Sequence, residues 1–155
     1  MLMETTLIIL KPDTIQRGLI GRILSRFEDK GLQIAAAKLM QVSEPLANRH
    51  YGEHEGKPFY DGLIRFITSA PVLVLAIRGV GAVAACRKLI GATHGTKAEA
   101  GTIRGDFGLS AGFNLIHGSD SPESAQRELA LWFESGELLD YESSMEQWVY
   151  DPSEL

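Results

Sequence analysis

The chain has 155 residues, a formal net charge of −5 and one cysteine, and 45% of its residues are hydrophobic. This length and composition predict a single folded domain over residues 1–155 and exclude a disordered chain. The negative charge gives the surface as a whole no electrostatic attraction to nucleic acid. The lone cysteine, Cys86, cannot form an internal disulfide, which favours a reducing, cytoplasmic location.

The sequence gives no indication of a membrane partner. Its opening apolar run, residues 7–10, follows Glu4 and is far shorter than the apolar core of a signal peptide. No run approaches the roughly 18 apolar residues of a membrane-spanning helix.

Four segments have the pattern of strands. Residues 3–11 and 71–79 contain apolar runs typical of strands that are covered on both faces and lie in the middle of a sheet. Residues 32–42 are interrupted by polar side chains, as expected of an edge strand. Residues 113–117 are predicted to form a short fourth strand.

Helical patterns separate these strands. The predicted helices cover residues 19–27 with Gly31 as the C′ residue, residues 58–69, residues 81–91, and a last segment that starts at Pro122 with Asp120 or Ser121 as N-cap. A turn is predicted over residues 45–51. The order predicts an α+β fold, a ferredoxin-like α/β sandwich with a four-stranded antiparallel sheet (βαββαβ) and additional helices. A long Gly- and Ala-rich loop, residues 93–112, precedes the last strand, and such loops tend to be functional.

Two common catalytic motifs are absent from the sequence. It contains neither G-x-x-x-x-G-K-[ST] nor G-x-S-x-G, which excludes a P-loop NTPase and an α/β-hydrolase. One cysteine and scattered histidines cannot form a structural zinc site.

A group of side chains suited to phosphate remains. Lys11 ends the first strand, Arg87 lies on the helix after the third, and Thr93 and Arg104 lie in the long loop. Ligands commonly dock at strand ends and adjacent loops, and lysine and arginine match phosphate oxygens. Taken singly, each of these residues also fits a solvated surface group, so the sequence leaves both interpretations open.

His117 has neighbours suited to nucleophilic catalysis. Gly118 leaves room beside the ring, Ser119 is a small hydroxyl, and Asp120 is an acid able to hold a divalent cation. Glu128 lies about two turns into the next helix, where it can accept a hydrogen bond from one ring nitrogen and leave the other free to attack. The alternative is a buried, chemically inert histidine, and spacing alone does not decide between the two.

Four motifs resemble the nucleoside diphosphate kinase family, and the resemblance runs from end to end of the chain. They are KPD at residues 11–13, GTIRGDF at 101–107, NLIHGSD at 114–120 and SAQRELALWF at 124–133. The Asn-x-x-His-Gly-Ser-Asp signature is specific, unlike a short glycine-rich motif.

The resemblance implies a ping-pong phosphoryl transfer through a phosphohistidine. His117 would take the γ-phosphate of ATP or another nucleoside triphosphate and pass it to nucleoside and deoxynucleoside diphosphates. The positions that match catalytic groups are His117, Glu128, Ser119, Lys11 and Tyr51. The positions that match nucleotide contacts are Lys11, His54, Phe59, Leu63, Arg87, Thr93, Arg104 and Asn114. Mg²⁺ is the implied cofactor, held mainly by the nucleotide phosphates and through water by Asp120.

Particular roles follow from the same resemblance. Lys11 and Asn114 match the groups that bond the sugar 3′-hydroxyl, and Phe59 matches the aromatic ring on which the base stacks. Stacking on one aromatic face is indifferent to the identity of the base. We therefore expect an enzyme that accepts many nucleotides.

The chain departs from the family pattern at a few positions. His94-Gly95 stands where Asn-Pro is usual, and Ala100 stands where proline is common, which bears on the stability of the loop and of subunit contacts. Phe113 replaces a usually charged side chain and either packs locally or alters the rim of the site. His50, like His94, has no chemical companion in the sequence and is expected at the surface.

The tail suggests an oligomer. Trp148 and Tyr150 lie in an otherwise polar end, where a neighbouring subunit would cover them. This longer tail resembles that of the hexameric members, which favours a homo-hexamer over a tetramer.

Two other functions are disfavoured by the sequence. A catalytically inactive regulatory protein of the same fold is disfavoured because every matched site residue is present. An RNA-binding module of the RRM type needs aromatic residues on its central strands, and residues 7–10 and 72–75 contain none.

Overall fold

A four-stranded antiparallel sheet forms the centre of the computed structural model, which describes residues 2–155. Its strands are β1 (Met3–Leu10), β2 (Gln33–Met40), β3 (Val72–Val80) and β4 (Ile116–Gly118), in the order β2-β3-β1-β4. The two strands predicted to be central, β1 and β3, are central, and β2 lies at an edge. The ferredoxin-like α+β architecture is therefore confirmed.

The helices cover both faces and the ends of this sheet. They are α1 (Pro12–Gln16), α2 (Ile20–Asp29), α3 (Glu44–His50), α4 (Tyr60–Ile67), α5 (Ala82–Ile90), α6 (Ile103–Phe107), α7 (Pro122–Trp132) and α8 (Glu146–Val149). Gly31 follows α2 with φ 92°, which confirms its place beyond the helix end. Ser121, rather than Asp120, caps α7 by accepting a hydrogen bond from the Ser124 backbone.

Three local predictions were wrong. The turn predicted over residues 45–51 is the helix α3, whose N-cap is Ser43. The loop over residues 93–112 contains the helix α6 and a short 3-10 turn, Gly95–Lys97. The last strand begins at Ile116 and not at Phe113, because Leu115 has φ 72° and cannot continue a strand.

Both faces of β1 are buried, as its apolar run predicts. Ile8 and Leu10 face a core that includes Phe27 of α2 and Ile90 of α5. The alternate residues of β1 face the second core, which is built with α3, α4 and α7. Cys86 of α5 is buried in the first core. β4 pairs directly with β1, so its residues are held against a strand that is covered on both faces.

The tail after α7 lies along the edge of the sheet formed by β2. The Tyr150 hydroxyl accepts a hydrogen bond from the Val80 backbone at 3.0 Å, so Tyr150 is partly covered by its own chain. Trp148 is 83% exposed, and its cover by another subunit stays a prediction. Across residues 2–155, the helices are all too short or too polar to span a bilayer.

Candidate active site

The strongest polar contact at the end of β4 joins His117 to Glu128. β4 pairs with β1 so that His117 lies opposite Ile9, and α7 carries Glu128 in its second turn. His117 Nε2 lies 3.0 Å from Glu128 Oε1 and 3.1 Å from Oε2. A carboxylate can only accept, so Nε2 carries the ring proton and Nδ1 keeps its lone pair.

Both side chains of this pair are largely buried, and this burial favours one orientation of the His117 ring. The His117 side chain is 23% exposed and that of Glu128 is 9% exposed. Ser119 is buried and donates from Oγ to Glu128 Oε2 at 2.9 Å, which fixes the carboxylate. Ser119 thus acts on the His117 ring through Glu128. Glu128 therefore holds one nitrogen of a ring that remains partly exposed.

Tyr51 is influenced by the charge of the same carboxylate. Its side chain is buried, and its ring packs edge-on against His50 with centroids 4.7 Å apart. Burial, followed by the charge of Glu128, raises the pKa of Tyr51 to about 12. The phenol is therefore neutral at physiological pH and available only as a hydroxyl.

A hydrogen-bonded chain runs from Lys11 to the long loop. Lys11 Nζ donates to Asn114 Oδ1 at 2.8 Å, and Asn114 Nδ2 donates to the Thr93 backbone carbonyl at 3.3 Å. Lys11 and Asn114 are buried, whereas the Thr93 side chain is exposed. Burial, with the nearby charge of Arg104, lowers the pKa of the Lys11 ammonium to about 8. Most of this ammonium remains protonated at pH 7, where it offers a desolvated positive charge.

Arg104 is buried at the base of this chain. Its guanidinium donates to the backbone carbonyls of Asn114 at 3.1 Å and Ile116 at 2.6 Å, so it organises the turn that precedes β4. Burial and the neighbouring charge of Arg87 lower its pKa to about 10. Arg87 itself is exposed and donates to the Gly118 carbonyl at 3.3 Å. The two predicted phosphate ligands therefore lie near each other, one structural and buried and one accessible.

The turn between Asn114 and β4 is strained, and no local residue pattern indicates this strain. Leu115 is a non-glycine residue with φ 72°, a conformation that costs on the order of 1–3 kcal/mol. Its N–H donates to Asp13 Oδ2 at 3.0 Å, and its carbonyl accepts from Thr14 Oγ1 at 2.7 Å. This clamp from α1 fixes the directions of Asn114 on one side and His117 on the other. Asp13 was part of a recognised motif, but its role depends on a partner far along the chain.

The α4 segment supplies an exposed aromatic face. Phe59 is 51% exposed, precedes α4 and has the His54 ring 5.4 Å away. Leu63 follows one turn later and is half-buried. The ammonium of Lys57 lies 5.8 Å from the Phe59 ring centroid. An aromatic face with cationic and imidazole neighbours is suited to stacking of a planar ligand that carries phosphate.

Asp120 is exposed just before α7. Hydrogen bonds from the side chains of Ser124 and Ser121, with the charge of Arg87, hold its pKa below the usual value. Its carboxylate is therefore ionised at neutral pH, and oxygen ligands of this kind suit a hard divalent cation.

Two sequence interpretations at this site were wrong. Gly118 does not clear a path to His117, because a Cβ there would lie 2.6 Å from Ile90 Cδ1 on the opposite face of β4. His50 is not a surface residue, since it is 8% exposed and its ring centroid lies 4.7 Å from that of His117. Close packing against α5 explains the glycine, and the folding of α3 over α7 explains the buried histidine.

Phe113 combines the two alternatives left open for it. Its ring packs on Phe66 of α4 with centroids 4.7 Å apart, yet the residue is 60% exposed. It therefore links the loop before Asn114 to the helix that carries Leu63 and remains accessible at the surface.

Comparison with known proteins points to one family over nearly the whole length of the chain. A sequence model of the nucleoside diphosphate kinase family matches residues 4–138. The nucleoside diphosphate kinase of Staphylococcus epidermidis is 58% identical over 149 residues, 96% of this chain and 100% of that protein. The nucleoside diphosphate kinase of Carboxydothermus hydrogenoformans is 54% identical, with the same coverage of both chains. A structure has been solved for a halophilic nucleoside diphosphate kinase from Halobacterium salinarum in complex with CDP. It superposes on this chain with a TM-score of 0.94 and is 49% identical in sequence, and the match covers 96% of this chain and 99% of that chain.

Proposed function

The chain belongs to the nucleoside diphosphate kinase family, and from this premise we propose that His117 carries the phosphoryl group between two nucleotides. The enzyme is a phosphotransferase that acts on nucleoside diphosphates and triphosphates. The observation that carries the proposal is the contact between His117 Nε2 and Glu128 at 3.0 Å, which leaves Nδ1 as the nucleophile.

The first half-reaction needs no proton to leave the ring. The Nδ1 lone pair forms a bond to the γ-phosphorus while the bond from phosphorus to the β,γ-bridging oxygen breaks, and the nucleoside diphosphate leaves with that electron pair. The imidazole becomes cationic and retains its proton on Nε2. Glu128, itself fixed by Ser119, offsets that positive charge where it develops.

The second half-reaction reverses these bond changes. A terminal phosphate oxygen of the incoming nucleoside diphosphate attacks the phosphorus, the P–N bond breaks, and the electron pair returns to Nδ1. The proton on Nε2 is again unmoved. The same geometry therefore serves both directions, as a ping-pong enzyme requires.

Lys11 and the arginines supply the positive charge that phosphoryl transfer requires. Lys11 is buried and directed at Asn114, so we assign this pair to the sugar 3′-hydroxyl and the transferred group. Arg87 is accessible and suited to the phosphates, with Arg104 behind it and Thr93 on the loop beside it. Preorganised charges of this kind account for most of the catalysis expected of such enzymes.

Phe59 and Leu63 are proposed to hold the base. The exposed Phe59 face offers stacking, and His54 beside it is suited to a phosphate. No buried donor or acceptor specific to one base lies on this face of α4 among the described residues, which supports broad acceptance of nucleotides.

A divalent cation is expected with the substrate, and we propose Mg²⁺. Asp120 fits this role because its ionised carboxylate is exposed beside the proposed phosphate groups. When bound, the cation would neutralise charge on the phosphates.

The direct test of the proposal is phosphorylation by γ-labelled ATP with Mg²⁺. We expect an acid-labile, base-stable phosphoprotein that discharges onto added GDP or dCDP. His117→Ala is expected to take no label, whereas the matched control His94→Ala takes label normally because the His94 ring hydrogen-bonds to Thr96, outside the His117–Glu128 pair. Label that persists in His117→Ala would overturn the assignment of the nucleophile.

Assembly and location are proposed on separate grounds. We propose a homo-hexamer, supported by the exposed Trp148 in a tail that resembles that of hexameric members. Sedimentation velocity tests this, and a tetramer would contradict it. We also propose that residues 1–155 form one domain and that the protein resides in the cytoplasm, supported by a single free, buried cysteine. Limited proteolysis and cell fractionation would test these two statements.

A further inference from the structure

His50 is a buried histidine next to the proposed nucleophile, and the reaction above does not use it. It ends α3 and is 8% exposed. The indole Nε1–H of Trp132 donates to His50 Nδ1 at 3.1 Å. Since Nδ1 is the acceptor, the neutral ring carries its proton on Nε2. The tautomer of His50 is therefore set by α7, the same helix that supplies Glu128.

The rings of His50 and His117 pack edge to face. Their centroids lie 4.7 Å apart and their planes are 84° from each other. The Trp132 ring holds His50 from a second side, with centroids 5.3 Å apart and planes at 82°. His117 is thus constrained in two ways, by the hydrogen bond from Nε2 to Glu128 and by the edge-to-face contact with the His50 ring.

A metal site is the competing interpretation of this cluster. One donor atom each from His50, His117 and Glu128 lies within 4.8 Å of the others, which would suit a cation. Coordination through His50 Nδ1 would displace the Trp132 hydrogen bond, and coordination through Nε2 would require an imidazolate while that bond persists. The first outcome breaks a buried hydrogen bond and the second removes the remaining ring proton of His50, so the arrangement favours a positioning role.

The charge state of His50 suits that role. Burial, followed by the charges of His117 and Lys11, lowers the pKa of His50 to about 2. His50 is therefore neutral throughout the physiological range. A neutral ring can pack against His117 without opposing the positive charge that His117 acquires on phosphorylation.

We propose that His50 is a positioning residue, locked by Trp132, that holds the His117 ring in the rotamer presenting Nδ1 to the nucleotide. This inference rests on the proposed function of His117. Without the His50 ring, His117 would be free to rotate and release Nε2 from Glu128. This rotation would expose Nε2 instead of Nδ1 to the phosphoryl donor.

Two variants separate the parts of this arrangement. His50→Asn keeps an acceptor oxygen near the position of Nδ1 but removes the ring that contacts His117. His50→Phe keeps a ring but removes the acceptor for Trp132. We expect the rate of His117 phosphorylation in a single turnover to fall about 10- to 100-fold in His50→Asn, with ATP affinity unchanged, because orientation and not binding is lost. His50→Phe should retain more of the rate than His50→Asn.

The site of phosphorylation is a readout that simple destabilisation would not move. After alkaline hydrolysis, wild-type label is expected entirely as the Nδ1 isomer of phosphohistidine. His50→Asn is expected to yield a measurable share of the Nε2 isomer, and the control His94→Asn none. Variants that bind ATP normally and form only the Nδ1 isomer at the wild-type rate would overturn the proposal.

A measurement on the wild-type protein covers the case in which the variants do not fold. Long-range ¹H–¹⁵N correlation spectra are expected to show His50 protonated at Nε2 and His117 protonated at Nε2. Protonation of His50 at Nδ1 would overturn the positioning role. A wild-type protein that takes no label on His117 would instead refute the proposed function, so the two failures are distinguishable.

Discussion

Replacing Lys11 by methionine removes a charge that the fold keeps away from water. The Lys11 side chain is 8% exposed, and burial is the main cause that lowers its pKa from 10.5 to about 8. Each pKa unit corresponds to about 1.4 kcal/mol, so carrying the charged form costs the folded protein about 3 kcal/mol at pH 7. The variant also leaves Asn114 Oδ1 without its donor at 2.8 Å, a loss of about 1 kcal/mol. We expect Lys11→Met to be more stable by about 2 kcal/mol and to lose catalysis.

The pH dependence of this difference has a definite sign. The folded-state pKa of Lys11, about 8, lies below the unfolded-state value of 10.5. Between these values the unfolded chain binds more protons, so the contribution of Lys11 to wild-type stability rises with pH. The advantage of Lys11→Met is therefore fully present below pH 8 and is lost by pH 10.5.

Urea unfolding at equal protein concentration would measure both quantities. Wild type and Lys11→Met are compared at pH 7 and at pH 10.5, so that the titration of all other groups cancels in the difference. The exposed Lys88 provides a control, and Lys88→Met should change stability by less than about 0.5 kcal/mol at either pH. The reasoning is refuted by a Lys11→Met variant that is less stable than wild type at pH 7, or by a difference that does not change with pH.

Three further changes test other parts of the structure. Glu128→Gln keeps the shape of the side chain but removes the charge that faces His117 Nε2 at 3.0 Å; single-turnover phosphorylation should slow by about 10²–10³-fold, and an unchanged rate would contradict the electrostatic role. Ser121→Ala removes the N-cap of α7, which accepts from the Ser124 backbone at 3.1 Å, and thermal unfolding should report a loss of about 1 kcal/mol. An equal loss in Ser153→Ala, at an exposed position of the tail, would show that the cap itself is not responsible. Gly118→Ala places a Cβ 2.6 Å from Ile90 Cδ1 and should destabilise the protein by about 1–3 kcal/mol. Ile90→Val removes that methyl group and should recover part of the loss in the double variant, and no recovery would refute the packing explanation.

The sheet was predictable because its signals are local. The apolar runs of β1 and β3 identify strands buried on both faces, and Gly31 marks a helix end through its own backbone freedom. The spacing between His117 and Glu128 placed the histidine on the last strand and the glutamate on the following helix. It did not decide whether His117 is a nucleophile or a chemically inert histidine. The family motifs then pointed to the same residues, and the comparisons confirmed the family.

The parts that were not predictable depend on partners distant in sequence. His50 is buried because α7 brings Trp132 to its Nδ1, a contact across 82 positions. Leu115 adopts φ 72° because Asp13 holds its N–H across 102 positions. No window of neighbouring residues contains either relationship.

The sequence by itself determined the order of the four strands, the family and the residues able to carry out phosphoryl chemistry, because these follow from residue type and short-range pattern. Only the tertiary structure decided that Nε2 of His117 is the bonded nitrogen, that Arg104 is buried in the turn before β4, and that His50 stands beside the nucleophile. Those properties are set by which surfaces the folded chain brings together, and burial then fixes the charge, tautomer and orientation of each side chain.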